Sequence, residues 1–179
     1  MDQPIFRLAC ALIAGASATL AFAPFGWWWM APFSLMGWMI LSIRWPGFAI
    51  GYVFGFGFFV TWVSWVSVSM IEHGGASFGL AGLMTSFFAA GLAVFPGLAS
   101  WGYSLWSRRW PTAFGQGVLL SATWVTMEAL RSWILTGFPW LLMGYSTLDS
   151  PFEGYLSWLG ALGGSLMLAL VAAAVVATL

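Results

Sequence analysis

The chain has 179 residues, of which 61% are hydrophobic and only 6% charged, against about 25% charged in an ordinary soluble domain. Such a chain cannot cover its own surface with polar groups, which points to an integral membrane protein rather than a soluble globule. Five arginines balance five acidic residues, and with no lysine and no basic run there is no face for nucleic acid.

Uncharged runs of about 17 to 25 residues are candidates to cross about 30 Å of hydrocarbon, and the sequence offers six in succession. The first covers residues 5–22 and ends at Ala23-Pro24-Phe25-Gly26; the second covers 27–43 and ends at Arg44-Trp45-Pro46-Gly47. A third, 48–71, stops at the polar turn Glu72-His73-Gly74-Gly75, and a fourth, 78–106, closes at Ser107-Arg108-Arg109-Trp110-Pro111. The fifth, 114–135, carries Glu128 and Arg131 in its second half, whereas the sixth, 155–179, has no charge. Between them, 136–154 holds Pro139, Pro151 and three glycines, too broken for a simple helix and too apolar for a solvated loop. The expected fold is an all-α integral membrane protein, a bundle of about six transmembrane helices occupying the whole of 1–179 as one multi-pass domain.

Arg7 ahead of an apolar run ending in Ala21-Phe22-Ala23 has the outline of a cleaved signal peptide. The run is long for that role, Pro24 would follow the scissile bond, and five further spans come after it, so it reads as a retained helix. Leu8-Ala9-Cys10 imitates a lipoprotein signal box with too few apolar residues before it. The single cysteine, with His73 the single histidine, supplies neither a disulfide nor a metal site, and no metal or cofactor is expected. Cys10 reads as a small packing residue.

Orientation follows from the arginines. With the N-terminus in the cytoplasm, Arg7, Arg44, Arg108 and Arg109 all face the cytoplasm and only Arg131 lies toward the outer side, a clear positive-inside bias. The Ala23 and Glu72 turns and the segment 136–154 then fall on the outer face. Gly51 with Gly55, and Gly160 with Gly164, stand four apart, which predicts close helix approaches within the bundle. Pro96 with Gly97 predicts a kink in the fourth run.

Glu128 and Arg131 are the strongest candidates for function, because each charge at a helix centre costs about 2.5 to 3.5 kcal/mol on insertion scales. Spaced i to i+3, they can pair with each other near the interface, or face the bundle interior and contact a zwitterionic or anionic lipid headgroup. Thr136-Gly137-Phe138-Pro139-Trp140 reads as a helix stop, Gly137 at the cap and Pro139 forbidding continuation, flanked by aromatic anchors. It runs on through Met143-Gly144-Tyr145-Ser146 to Asp149 as an apolar, aromatic surface at the outer interface, where a lipid or lipidated chain can enter. Glu72-His73 before Gly-Gly reads as an ordinary extramembrane turn rather than an acid-base pair.

Leu130-Arg131-Ser132-Trp133, Thr136-Gly137-Phe138-Pro139-Trp140 and Gly144-Tyr145-Ser146 together resemble the bacterial apolipoprotein N-acyltransferases. Leu20-Ala21-Phe22-Ala23-Pro24-Phe25 and Trp65-Val66-Ser67-Val68-Ser69 are similar to that family too. The resemblance implies a multi-pass inner-membrane enzyme that moves an acyl chain from a phospholipid donor to the N-terminal diacylglyceryl cysteine of an apolipoprotein, with the lipid bilayer and those two substrates as partners. It also implies a nitrilase-like periplasmic domain with a glutamate, lysine and cysteine triad, followed by a last membrane helix. These 179 residues contain no lysine, and Cys10 lies toward the cytoplasmic end of the first run, so no catalytic residue carries over. What carries over is a substrate portal, with Glu128, Arg131, Gly137, Phe138, Pro139, Trp140 and Tyr145 as substrate-binding residues. The expected reading is the membrane domain of such an enzyme, a fragment or truncated product inactive alone. A non-catalytic lipid-binding or scaffold protein derived from that family is the alternative; a small transporter has only Glu128 and Arg131 as pathway charges and lacks paired broken helices.

Overall fold

Helices start and stop where the sequence places its breakers and caps. The computed structural model describes residues 3–148 and 150–179, so Asp149, the expected end of the outer segment, lies outside the described residues. In chain order the helices are α1 (Pro4–Ser17), α2 (Met30–Arg44), α3 (Phe48–Trp62), α4 (Ser64–Glu72), α5 (Phe78–Leu92), α6 (Val94–Trp106), α7 (Ala113–Arg131) and α8 (Glu153–Val176). Pro4 opens α1 at a position where its missing N–H costs nothing. Ser77 and Thr112 cap α5 and α7 by accepting from the N–H groups of Leu80 and Gly115, at 3.4 and 3.1 Å.

Six helices close a ring in which each packs on the next: α1, α3, α6, α7, α8, α2 and back to α1. The pair α4 and α5 leans outward from α3, and α4 buries none of its residues. Inside the ring, Trp124 of α7 lies 5.1 Å from the Trp38 ring and 5.8 Å from the Phe54 ring. The Trp38 indole donates to the buried Ser100 hydroxyl at 2.8 Å. Around this aromatic centre the seams are made of small residues: Ala11, Ala31, Ala99, Ala169 and Ala173 are fully buried, whereas Phe87 is 82% and Trp158 89% exposed. Large apolar groups outside and small ones at the seams suit a bundle whose outer surface meets lipid, where close van der Waals packing replaces the hydrophobic drive.

The ring has an arginine end. Arg7 and Arg44 meet in one pocket there, and Arg44 shares another with Ala113, Gln116 and Leu179, next to Arg108 and Arg109 in the chain. At the opposite end Trp28, before α2, meets Phe152, before α8, at 5.2 Å.

The expected count of six spanning helices is not reached. Among the described residues, three helical stretches are long and apolar enough to cross a membrane, Pro4–Ala21, Phe78–Arg109 and Glu153–Val176, or four if Phe48–Trp62 and Ser64–Glu72, bent by 42°, count as one. Because residues 27–29 belong to the preceding turn, α2 has 15 residues, about 22 Å of rise and short of the hydrocarbon thickness. The polar Gln116, Glu128 and Arg131 set α7 apart from the longer apolar stretches.

The third run is bent at Val63. Just before it, Thr61 turns its hydroxyl back onto the carbonyls of Gly57 and Phe58 at 2.8 and 3.1 Å, and Ser64 does the same to Thr61 at 3.1 Å. Such back-bonding bends helices. The fourth run breaks at Ala93, three residues before Pro96, where the missing Pro N–H leaves the Leu92 carbonyl without its helical donor.

Gly51 and Gly55 do mark a close approach: a Cβ on Gly55 would lie 2.8 Å from Pro96 Cγ, and one on Gly51 would run into the Pro96 carbonyl. The other pair divides. Gly164 packs on Gly144, whose Cα would lie 3.2 Å from an added Cβ. Gly160 has φ +65°, interrupts α8 and has nothing within 4 Å of its would-be Cβ, so it is a bend rather than a seam.

Candidate functional site

The last turns of α7 and the segment after it form one unit at the end opposite the arginines. The helix stops at Arg131, a 3₁₀ turn covers Ile134–Thr136, and a second covers Met143–Thr147. Between these turns residues 137–142 run as a strap across the bundle. Gly137 adopts φ +81°, ψ 146°, so it is not the left-handed helix cap expected; the helix has already ended six residues earlier. A Cβ there would strike the Ser132 carbonyl, which leaves no side chain but glycine's.

Glu128 and Arg131 are 4% and 3% exposed, inside the bundle rather than at its rim. Their hydrogen bonds go to the strap and not to each other. The Arg131 guanidinium donates to the carbonyls of Phe138 (2.7 Å), Trp140 (2.6 Å) and Leu141 (3.2 Å), and the Phe138 N–H returns to the Arg131 carbonyl at 2.8 Å. Glu128 Oε1 accepts the Met143 N–H at 2.8 Å. Next along, the Gly144 N–H donates to the Ser165 hydroxyl of α8 at 2.8 Å. Two side chains of one helix face thus bind the backbone of residues 138–143, and α8 takes over at 144.

This fixation has a conformational cost to offset. Thr136 at φ +74° and Leu141 at φ +60° are non-glycine residues in the left-handed region, at about 1–2 kcal/mol each. A hydrogen bond to a charged group contributes about 1.5–3 kcal/mol, so the three from Arg131 outweigh the strain. The guanidinium also lies 5.3 Å from the Phe59 ring and 5.7 Å from that of Phe138, whose faces favour a cation.

The inner side of this clamp is partly unsatisfied. Glu128 Oε2 and Trp124 Nε1 have no hydrogen-bond partner among the described residues, and both line a cavity of about 10 Å³ with Phe58, Phe59, Phe95 and Arg131. The outer side is a groove of about 490 Å³ where α5 breaks into α6, walled by Phe87, Phe88, Phe95, Ile134 and Phe138, with Arg131 at its base. Phe88 meets Phe138 edge-on at 5.4 Å, and Phe138 meets Trp140 at 5.5 Å. Pro139 and Trp140 (57%), which follow Phe138 in the chain, are exposed, and so is Tyr145 (40%) in the second 3₁₀ turn.

All seven sequence-predicted site residues therefore belong to one unit. Glu128, Arg131 and Gly137 hold the strap, Phe138, Pro139 and Trp140 form its aromatic and proline segment, and Tyr145 lies in the 3₁₀ turn that follows it. Sequence reasoning missed the Phe88 and Phe95 wall, Ser165 and the aim of Arg131 at carbonyls. It also missed Trp124, for which the available signal was its place four residues before Glu128 on the same helix face. Glu72, the last residue of α4, and His73, which follows it, are exposed, and Cys10 is half-buried in α1, remote in the chain from the strap.

The chain is similar in sequence to proteins described as apolipoprotein N-acyltransferases. Residues 14–174 match the model of the apolipoprotein N-acyltransferase N-terminal domain. Relatives named apolipoprotein N-acyltransferase include one of Pseudomonas syringae pv. tomato, 42% identical over 80% of this chain and 29% of its own length. That of Azotobacter vinelandii is 41% identical over 93% of this chain and 33% of its own, and that of Coxiella burnetii 40% identical over 90% and 34%. The chain spans about a third of the length of these relatives. With a family model covering nearly all of it, the chain belongs to the apolipoprotein N-acyltransferase family, in the region of that family's N-terminal domain.

Proposed function

We propose that these 179 residues form the membrane portion of an apolipoprotein N-acyltransferase, and that the strap and its groove receive the acyl chain of a phospholipid donor. One observation carries this reading: a rigidly held aromatic strap borders an apolar groove of about 490 Å³ at one end of a lipid-facing bundle. The groove suits an alkyl chain, being walled by phenylalanines with a single cation at its base. Phe138 lines the groove, and in this reading the exposed Pro139, Trp140 and Tyr145 meet the donor at its outer approach. Glu128 and Arg131 act as positioning residues, since the Arg131 guanidinium and Glu128 Oε1 are engaged by the strap backbone.

In this reading the N-terminus of α1 is cytoplasmic, the arginine end faces the cytoplasm, and the strap lies at the outer surface of the bacterial inner membrane. The acyl group passes from the phospholipid to the amino group of a diacylglyceryl cysteine on an apolipoprotein. Such a transfer needs a nucleophile, a proton-managing carboxylate and a cation for the oxyanion. With no lysine and a lone cysteine in α1, these residues orient the donor and leave the bond-making steps to groups outside them.

The test is photolabelling in bilayers with a phospholipid bearing a diazirine at mid-chain. Labels concentrated on residues 87–95 and 134–140 are the expected result, with loss on Phe88→Ala or Phe138→Ala. Labelling spread over every lipid-facing helix, unaffected by those changes, rejects the groove. Labelling at the groove without any support of acyl transfer, when the chain is joined to a relative's remaining sequence, favours the non-catalytic lipid-binding alternative.

A further inference from the structure

At the arginine end lies a second cavity, of about 430 Å³, unrelated to the strap. Its walls come from the start of α1 (Pro4, Arg7), the end of α2 (Arg44), the connection Trp45 to Gly47, and the start of α3 (Ala49). Both arginines lie over one indole: the guanidinium carbons of Arg7 and Arg44 are 5.9 and 5.3 Å from the Trp45 ring. No acidic side chain lines the cavity among the described residues.

Charge of another kind converges there. The N-termini of α1 and α3 both border the cavity, and neither has a side-chain cap, so the positive ends of two helix dipoles lie beside the same space. Arg44 stands in the last turn of α2 and complements the carbonyls there. That accounts for one cation; Arg7, in the second turn of α1, has no such helix end to serve. Two cations thus lie over one indole beside two positive helix ends, with no acidic partner among the described residues. The surroundings indicate which anion. Ile5 is 76% and Phe6 56% exposed beside Arg7, and Phe48 is 39% exposed next to the cavity, so the rim is apolar and lipid-facing.

We propose that this cavity binds the phosphate of an anionic phospholipid headgroup, with Arg7 and Arg44 donating to the phosphate oxygens and the acyl chains lying along the apolar rim of α1 and α3. Planar guanidinium groups present paired donors to phosphate, and stacking on Trp45 holds their forks in place. Basic pockets between membrane helices are suited to such headgroups. The site is distinct from the donor groove, at the other end of the bundle, and serves to seat the protein in an anionic leaflet. That this leaflet is the cytoplasmic one rests on the orientation proposed above; binding itself does not.

The experiment titrates the purified 179-residue chain, in neutral detergent, with phosphatidylglycerol, with phosphatidylcholine of the same acyl chains, and with inorganic phosphate, counting bound molecules by native mass spectrometry. Expected is one preferential phosphatidylglycerol, weakened about twenty-five-fold in Arg7→Gln/Arg44→Gln, equivalent to about 2 kcal/mol at tenfold per 1.4 kcal/mol. The pair Arg108→Gln/Arg109→Gln, with equal loss of charge at the same end, leaves that first binding unchanged. Arg7→Gln alone, which keeps Arg44 on its helix end, weakens it about five-fold, a measure that stands if the double variant does not fold. Equal affinity for phosphatidylcholine, equal loss in the Arg108/Arg109 control, or full displacement by inorganic phosphate overturns the assignment.

Discussion

Replacing Arg131 by glutamine tests the clamp where its energy is concentrated. The arginine is 3% exposed and donates to three strap carbonyls. A glutamine amide is shorter and can reach one of them at most. Two bonds to a charged group are then lost, at about 1.5–3 kcal/mol each, so about 3–5 kcal/mol is at stake, the range for breaking a buried charge arrangement. The loss should stay local. Thr136 and Leu141 are held at positive φ by those bonds, and their release lets residues 136–142 relax while the ring, packed through other seams, remains. Hydrogen exchange in bilayer discs reads this directly: the amides of Phe138 and Met143, bonded to the Arg131 carbonyl and the Glu128 carboxylate, should exchange about a hundred- to a few-thousand-fold faster, with little change in α1 or α3. Arg131→Lys, which keeps a charge without the fork, should fall between. Unaltered exchange at 138–143, or an equal rise through every helix, would refute the reasoning.

Three further outcomes follow from the same geometry. Glu128→Ala strands the buried Met143 N–H and should cost about 3–5 kcal/mol in detergent melts, whereas Glu128→Gln keeps an acceptor and should cost clearly less; equal losses would contradict the assigned bond. Gly51→Ala drives a methyl into the Pro96 carbonyl and should cost about 1–3 kcal/mol. Gly82→Ala in α5, with nothing within 4 Å, should be neutral or stabilising by up to about 1 kcal/mol, and the reverse order of melting temperatures would refute the α3–α6 seam. Trp140→Ala, at a 57% exposed position, should leave the melt within about 0.5 kcal/mol of the parent while reducing diazirine labelling at 134–140.

Much of this was legible because apolar runs and their breakers are local signals. The ends of α5, α6 and α8 fall near the edges of the predicted runs, and the break before Pro96 is where a missing N–H puts it. The short α2 was not legible: three tryptophans at 27–29 count as apolar whether they extend a helix or fold into the turn before it. Neither was the bend at Val63, which depends on hydroxyl rotors at Thr61 and Ser64. The Gly160-Gly164 spacing misled because it assumes a continuous helix, and Gly160 itself breaks that helix. For the site, the motif residues were found together, and of the two alternatives for Glu128 and Arg131, pairing near the interface or facing the bundle interior, burial agrees with the interior placement. Their partners are backbone groups up to fifteen residues away, which no side-chain pattern announces.

The central claim is that this chain supplies the membrane portal of an acyl transferase. Its most direct test replaces the N-terminal third of a family relative with this chain, in a strain depleted of its own apolipoprotein N-acyltransferase. The account predicts that the chimera restores growth and N-acylated lipoproteins, that Arg131→Gln abolishes the rescue, and that this chain alone gives none. Rescue by the chain alone, or equal rescue by the Arg131→Gln chimera, would contradict it.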